Sequence, residues 1–193
     1  MAIKAIIFDC FGVLVMSGRE ALYHDFPALK AQIHDNERQS DYGMISRIQL
    51  NEAIGQITHL SPQVIDERYW TTSVRNESAL DWVKELKQSG EYKIGLLSNI
   101  GRGWLEDFIP AEERRSLFDV EVLSSEVNIV KPSQEIFEIT AQRLGVEPYE
   151  CVMIDDILAN IDGAEQADMS GILFGTTTQA RSDLDLCLKS HNA

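Results

Sequence analysis

The chain of 193 residues carries 17 Lys and Arg against 31 Asp and Glu, a formal charge of -14, with 44% hydrophobic and 25% charged residues. That composition excludes disorder, collagen-like repetition and a disulfide scaffold, and the length fits one domain with a modest insertion. A chain so acidic repels a phosphate backbone, so no nucleic-acid partner is expected, and no apolar run approaches the roughly 20 residues of a membrane span.

The first residues run directly into an apolar stretch without a signal-peptide pattern, so a cytoplasmic location is expected. Five continuous apolar runs, at residues 5–8, 94–97, 120–123, 151–154 and 171–174, predict buried strands. Between the first two, roughly 85 residues intervene, far more than a crossover helix needs, and no strand is predicted among them. This segment reads as helical: residues 19–33, 45–57, and 64–70 after Ser61-Pro62. The polar stretch 35–43 is expected to be a loop. Asn76 starts a helix that ends at Gly90 and returns the chain to the sheet, Ser133 starts one ending at Gly145, and residues 157–169 predict another. A short amphipathic helix is expected over 181–188. Strand then helix, repeated, gives an α/β doubly wound parallel sheet, with residues 1–15 and 76–193 as its core domain and 16–75 as a small helical cap.

In an open parallel sheet, ligands bind beyond the carboxyl ends of the strands. There the chain places Asp9 after the first run, Ser98-Asn99 after the second, Lys131-Pro132 after the third and Asp155-Asp156 after the fourth. An Asp following a strand is by itself commonly a turn or cap residue; the joint pattern is what singles these out. Three carboxylates in one crevice repel one another unless a cation neutralises them, so a hard, oxygen-ligated ion is implied, with Mg2+ as the candidate. A fixed lysine and a hydroxyl beside it suit a phosphoryl group.

At these residues the chain resembles the haloacid dehalogenase-like (HAD) hydrolase superfamily. The stretches 6–14, 97–99, 131–132 and 154–156 are similar to its four motifs in order, and 133–137, 160–164 and 171–172 add to the likeness. The resemblance implies Asp9 as a nucleophile that takes a phosphoryl group as an aspartyl-phosphate. It further implies Ser98, Asn99 and Lys131 as groups binding the substrate, Ser98 and Lys131 also in catalysis. Mg2+ would be held by Asp9, the Phe11 backbone carbonyl and Asp155, with Asp156 and Asn160 in support. The implied activity is hydrolysis of a small phosphorylated metabolite, and the resemblance leaves the oligomeric state open.

Phe11 stands where the family's phosphatases usually carry a second Asp that protonates the leaving oxygen. A slow phosphatase, a different proton source or a substrate whose leaving group needs little help is therefore expected, sugar 1-phosphates or acyl phosphates being candidates for the last. An aromatic residue there is also similar to the family's 2-haloacid dehalogenases, although Asp155-Asp156-Ile157 replaces their Ser-Ser-Asn, and a binding module with impaired chemistry is the remaining alternative.

Cys10, Cys151 and Cys187 lack zinc or disulfide spacing and are expected to be reduced and mostly buried. His24, His34, His59 and His191 lack metal-ligand spacing, though a cap histidine could replace the missing acid. Tyr23, Phe26, Tyr69 and Trp70 are read as packing residues. Arg19 and Arg47 of the cap, and Arg102 after the second motif, are read first as solvated and second as sources of a positive field for an anion.

Overall fold

The computed structural model describes residues 2–16 and 18–191; Met1, Ser17, Asn192 and Ala193, which fall within the expected segments, lie outside the described residues. Five parallel strands form one sheet in the order β5-β4-β1-β6-β7: β1 (Ala5–Phe8), β4 (Lys93–Ser98), β5 (Val120–Leu123), β6 (Cys151–Asp155) and β7 (Ser170–Leu173). These match the five apolar runs to within a residue or two at each end. The register pairs Ile7 with Gly95 on one side and with Met153 on the other, so β1 is central and every one of its side chains is buried. Continuous hydrophobicity, rather than alternation, is what a strand covered on both faces requires.

Side chains of β1 alternate between two apolar layers. Ile6 and Phe8 join the layer with Trp82 and Val83 of α5 (Glu77–Ser89) and Leu184 of α11 (Thr177–His191), and Phe8 meets Trp82 edge to face at 5.2 Å. Ala5 and Ile7 join Ile136 and Phe137 of α9 (Gln134–Leu144) and Ala164 of α10 (Leu158–Gln166). Each fully buried Ile or Phe contributes about 1.5–3 kcal/mol. Three short helices, α6 (Leu105–Phe108), α7 (Ala111–Leu117) and α8 (Ser124–Val127), complete the connections around β5. The tail helix runs longer than the expected 181–188 at both ends.

The long insertion contains two strands that the sequence reading does not foresee. β2 (Val15–Met16) and β3 (Val74–Arg75) pair antiparallel where the helical segment leaves and rejoins the sheet. Two residues each are too few to leave a periodic signal. Asn76 fastens this neck, donating from its side chain to the Val13 carbonyl at 2.9 Å and from its backbone to the Leu14 carbonyl at 2.8 Å.

Between β2 and β3 lie α1 (Arg19–Asp25), α2 (Lys30–Asp41), α3 (Arg47–Thr58) and α4 (Pro62–Thr72). The single helix expected over 19–33 is broken by a 3-10 turn at Pro27–Leu29, since proline cannot supply a helical N–H. The loop expected over 35–43 is mostly helix instead, because α2 turns Glu37, Ser40 and Asp41 inward where they find partners or burial. Ser46 and Gln49 form a capping box at the start of α3, and Ser61 caps α4 ahead of Pro62. Tyr23 and Tyr69 are buried as expected, whereas Trp70 is half exposed and packs no core.

Candidate active site

The carboxyl ends of β1, β4 and β6 deliver their last residues to one point. Asp9, Ser98 and Asp155 are all buried there, and Lys131 joins them, buried, from the turn ahead of α9. Lys131 Nζ lies 2.8 Å from Asp9 Oδ1 and 2.6 Å from Asp155 Oδ2, and donates to the Leu97 carbonyl at 3.1 Å. The ammonium therefore has a partner for each of its three protons. Asp9 Oδ1 also accepts from the Cys10 N–H at 2.7 Å. Asp155 Oδ1 accepts from the Ile157 N–H at 2.9 Å, and Asn160 Nδ2 donates to both Asp155 oxygens at 3.0 and 3.1 Å.

Asp156 is exposed, yet one carboxylate oxygen from each of Asp9, Asp155 and Asp156 can be chosen so that all lie within 4.8 Å of one another. Gly12 makes this approach possible. Its φ of +91° is left-handed, and a β-carbon on it would come to 2.2 Å from the Asp156 carboxyl. Electrostatics at this point are strained in the absence of a cation. Burial raises the Asp9 carboxyl, against the pull of Lys131 and with Asp155 adding to it, and burial followed by Asp155 raises Asp156. Burial pulls the Lys131 ammonium down, but Asp155 and Asp9 outweigh it and leave it above its usual value. One lysine thus faces three acids, and an oxygen-ligated divalent ion fits the charge and donor set that remain.

Ser98 ends β4 with its hydroxyl buried and, among the described residues, without a hydrogen-bond partner. A buried hydroxyl left without a partner is uncommon. Asn99, expected to contact substrate, is used otherwise: its Nδ2 donates to the Lys131 carbonyl at 2.9 Å and its Oδ1 accepts from the Lys131 N–H at 2.8 Å. That bidentate clasp positions the lysine-bearing turn. Phe11 is half-buried, with its ring edge to face on Phe108 at 5.5 Å.

His24, His34 and His59 are exposed on the helical insert, and His191 bonds near Ser170 and Cys187 at the chain's far end. Cys10 and Cys151 are free and buried, and burial pushes both thiols up and away from reactivity. Cys187 is free and half-buried. Arg19 and Arg47 are partly exposed but paired: Arg19 with Asp41 at 3.0 Å, and Arg47 with Asp66 at 2.7 Å and Asp107 at 2.5 Å. Arg102 donates to the Ser125 carbonyl. Sequence reasoning missed Glu37 and Ser40, whose polar neighbourhood gave only a loop signal.

Among the described residues no helix is long and apolar enough to cross a membrane. Comparison with known proteins agrees with the geometry. The chain is 25% identical over 203 residues to "Pyrophosphatase PpaX" of Bacillus cereus, spanning 96% of this chain and 89% of that one. Its fold resembles the HAD family enzyme bt-2542 of Bacteroides thetaiotaomicron, with a TM-score of 0.76, 23% identity and coverage of 91% and 95%. A solved dehalogenase shares the fold at a TM-score of 0.67, 20% identity and coverage of 90% and 85%. The sequence profile of the haloacid dehalogenase-like hydrolases matches residues 3–168, and the chain belongs to that family of hydrolases.

Proposed function

We propose that this hydrolase is a Mg2+-dependent phosphatase of a small phosphorylated metabolite, working through an aspartyl-phosphate on Asp9, with residues 16–75 as a cap over a core formed by 1–15 and 76–193. The observation that carries this reading is the convergence of Asp9, Asp155 and Asp156 around a point that Lys131 alone cannot neutralise. Asp9, Asp155, Asp156 and the Phe11 carbonyl would hold the ion, which would screen the two anions that must meet. Support comes also from bt-2542, described in complex with magnesium and inorganic phosphate at 24% identity.

Asp9 is held by its Oδ1 on the Cys10 N–H and Lys131, which aims the carboxylate at an in-line phosphorus. In the first half-reaction an Asp9 oxygen bonds to phosphorus while the bond to the leaving oxygen breaks, and that oxygen carries away the electron pair. Ser98 donates to a transferring oxygen, and Lys131 balances charge between Asp9 and Asp155. In the second half-reaction water attacks phosphorus, the bond to Asp9 breaks with its electron pair returning to the carboxylate, and the water's proton passes to solvent, from which the departed oxygen is protonated.

Phe11 can neither donate nor accept a proton, and general acid help is worth about 100- to 10,000-fold. The substrate is therefore one whose leaving oxygen is already a fair leaving group, a sugar 1-phosphate or an acyl phosphate. Metal-free displacement of halide, the dehalogenase chemistry, leaves Asp155 and Asp156 without a use.

A panel of phosphate substrates run with and without Mg2+ tests the reading. Hydrolysis that requires Mg2+, is lost in Asp9→Asn and favours glucose 1-phosphate over glucose 6-phosphate is the expected result. Phosphate hydrolysis that survives EDTA would overturn the Mg2+ dependence, and equal rates on the two sugar phosphates would remove the leaving-group argument.

A further inference from the structure

A cavity of about 40 Å³ lies between the helical insert and the loops that follow β1 and β4. It has room for about three water molecules, enough for the hydroxyl-bearing end of a small molecule. Phe11, two residues beyond the proposed nucleophile, forms one wall, and the rings of Tyr69, Trp104 and Phe108 extend it. The lining also includes Glu37, Ser40 and Asp41 of α2 and Arg19 of α1.

The charged groups of this wall are already matched to one another. Arg19 Nη2 donates to both Asp41 oxygens at 3.0 and 3.1 Å, and Arg19 Nε lies 3.7 Å from Glu37. Glu37 accepts from the hydroxyls of Tyr23 and Tyr69. Two carboxylates against one guanidinium leave the lining with an excess of negative charge. A second phosphate or a carboxylate on the substrate would meet repulsion in a low-dielectric pocket. Ser40 differs from its neighbours: its hydroxyl is buried, 1% exposed as a residue, and has no hydrogen-bond partner among the described residues. It lies over Gly101, the cavity residue from the β4 side, where a β-carbon would come to 2.1 Å.

We propose that this cavity receives the leaving group, that the leaving group is uncharged and carries a hydroxyl set against the aromatic wall, and that Ser40 is a specificity-determining residue bonding that hydroxyl. The inference rests on the phosphatase reading and narrows it: pyrophosphate, the substrate named for the Bacillus relative, is rejected by the charge of the cavity. Ser40 offers both a donor and an acceptor, which a sugar hydroxyl answers and a phenyl ring does not. Apolar faces of the same sugar would cover Phe11 and Trp104.

Steady-state kinetics with Mg2+ on glucose 1-phosphate, phenyl phosphate and pyrophosphate test this. In the unmodified enzyme kcat/KM for glucose 1-phosphate should exceed that for pyrophosphate at least about tenfold, and Ser40→Ala should cut the preference for glucose 1-phosphate over phenyl phosphate about tenfold, the worth of one hydrogen bond. Pyrophosphate hydrolysed as fast as glucose 1-phosphate, or a preference that Ser40→Ala does not change, would overturn the inference while leaving the phosphatase reading intact. Failure to hydrolyse any of the three with Mg2+ would overturn both.

Discussion

At the scale of single residues, the acidic cluster depends on a residue without a side chain. Gly12 combines φ of +91° with the Asp156 carboxyl 2.2 Å from its would-be β-carbon. Gly12→Ala should strain the turn by about 1–3 kcal/mol and push Asp156 away. The Mg2+ concentration giving half-maximal activity should rise about tenfold, and an unchanged Mg2+ requirement would remove Asp156 from the metal account. Asn99→Ala removes both bonds that clasp the Lys131 backbone. We expect stability to fall by about 1–3 kcal/mol in urea melts and kcat to fall more than KM rises, since Lys131 would lose its position rather than its charge. Asp9, Ser98, Lys131, Asp155 and Asp156 were legible from sequence because each sits at or beyond a strand end, where topology forces convergence. The clasp by Asn99 was not, since an amide between a strand and a distant turn leaves no periodic trace.

Elements were legible in proportion to how continuously they are buried. The five sheet strands show as apolar runs, and the helix ends at Gly90 and Gly145, with φ of 68° and 69°, show as glycines. The second half of α2 does not show, because its inward residues Glu37, Ser40 and Asp41 are polar; Glu37 and Asp41 owe their burial to partners on α1 and α4. Asp119 ties the start of β4 to that of β5, accepting from the Ile94 N–H at 2.8 Å and from Lys87 at 2.5 Å. Burial alone would raise its carboxyl, but these donors outweigh it and hold it below the ordinary 3.8. A depressed folded-state value means that the stabilisation is complete above the unfolded-state value and is lost as pH falls through the folded one. Asp119→Asn should therefore cost about 1 kcal/mol at neutral pH, the group being partly solvated, with the difference closing below about pH 4. Urea melts of both proteins across pH 3–7 check this; a difference that grows toward acid would contradict it.

Across the whole molecule, the insert is fastened to the sheet loops by a few polar contacts. Arg47 of α3, anchored by Asp66, reaches Asp107 and the Gly103 carbonyl and stacks over Trp104 at 4.0 Å. Ser124 donates to the Asp41 carbonyl at 2.6 Å. Arg47→Ala should loosen this contact by about 1–2 kcal/mol, visible as faster amide exchange in α3 and α4 and a raised KM. The net charge of -14 acts on every approaching phosphate. Raising ionic strength from about 10 to 150 mM should accordingly increase kcat/KM about twofold or more, and a decrease would show a local positive field that overrides the whole.

The aspartyl-phosphate mechanism requires that Asp9 be phosphorylated during turnover, and that Mg2+ be present for it. Acid-quenching the enzyme during hydrolysis of glucose 1-phosphate and mapping its peptides by mass spectrometry tests this directly. The account predicts a phosphoryl adduct on Asp9 that forms with Mg2+ and is absent with EDTA. Steady hydrolysis with no adduct on Asp9, or an adduct indifferent to Mg2+, would contradict it.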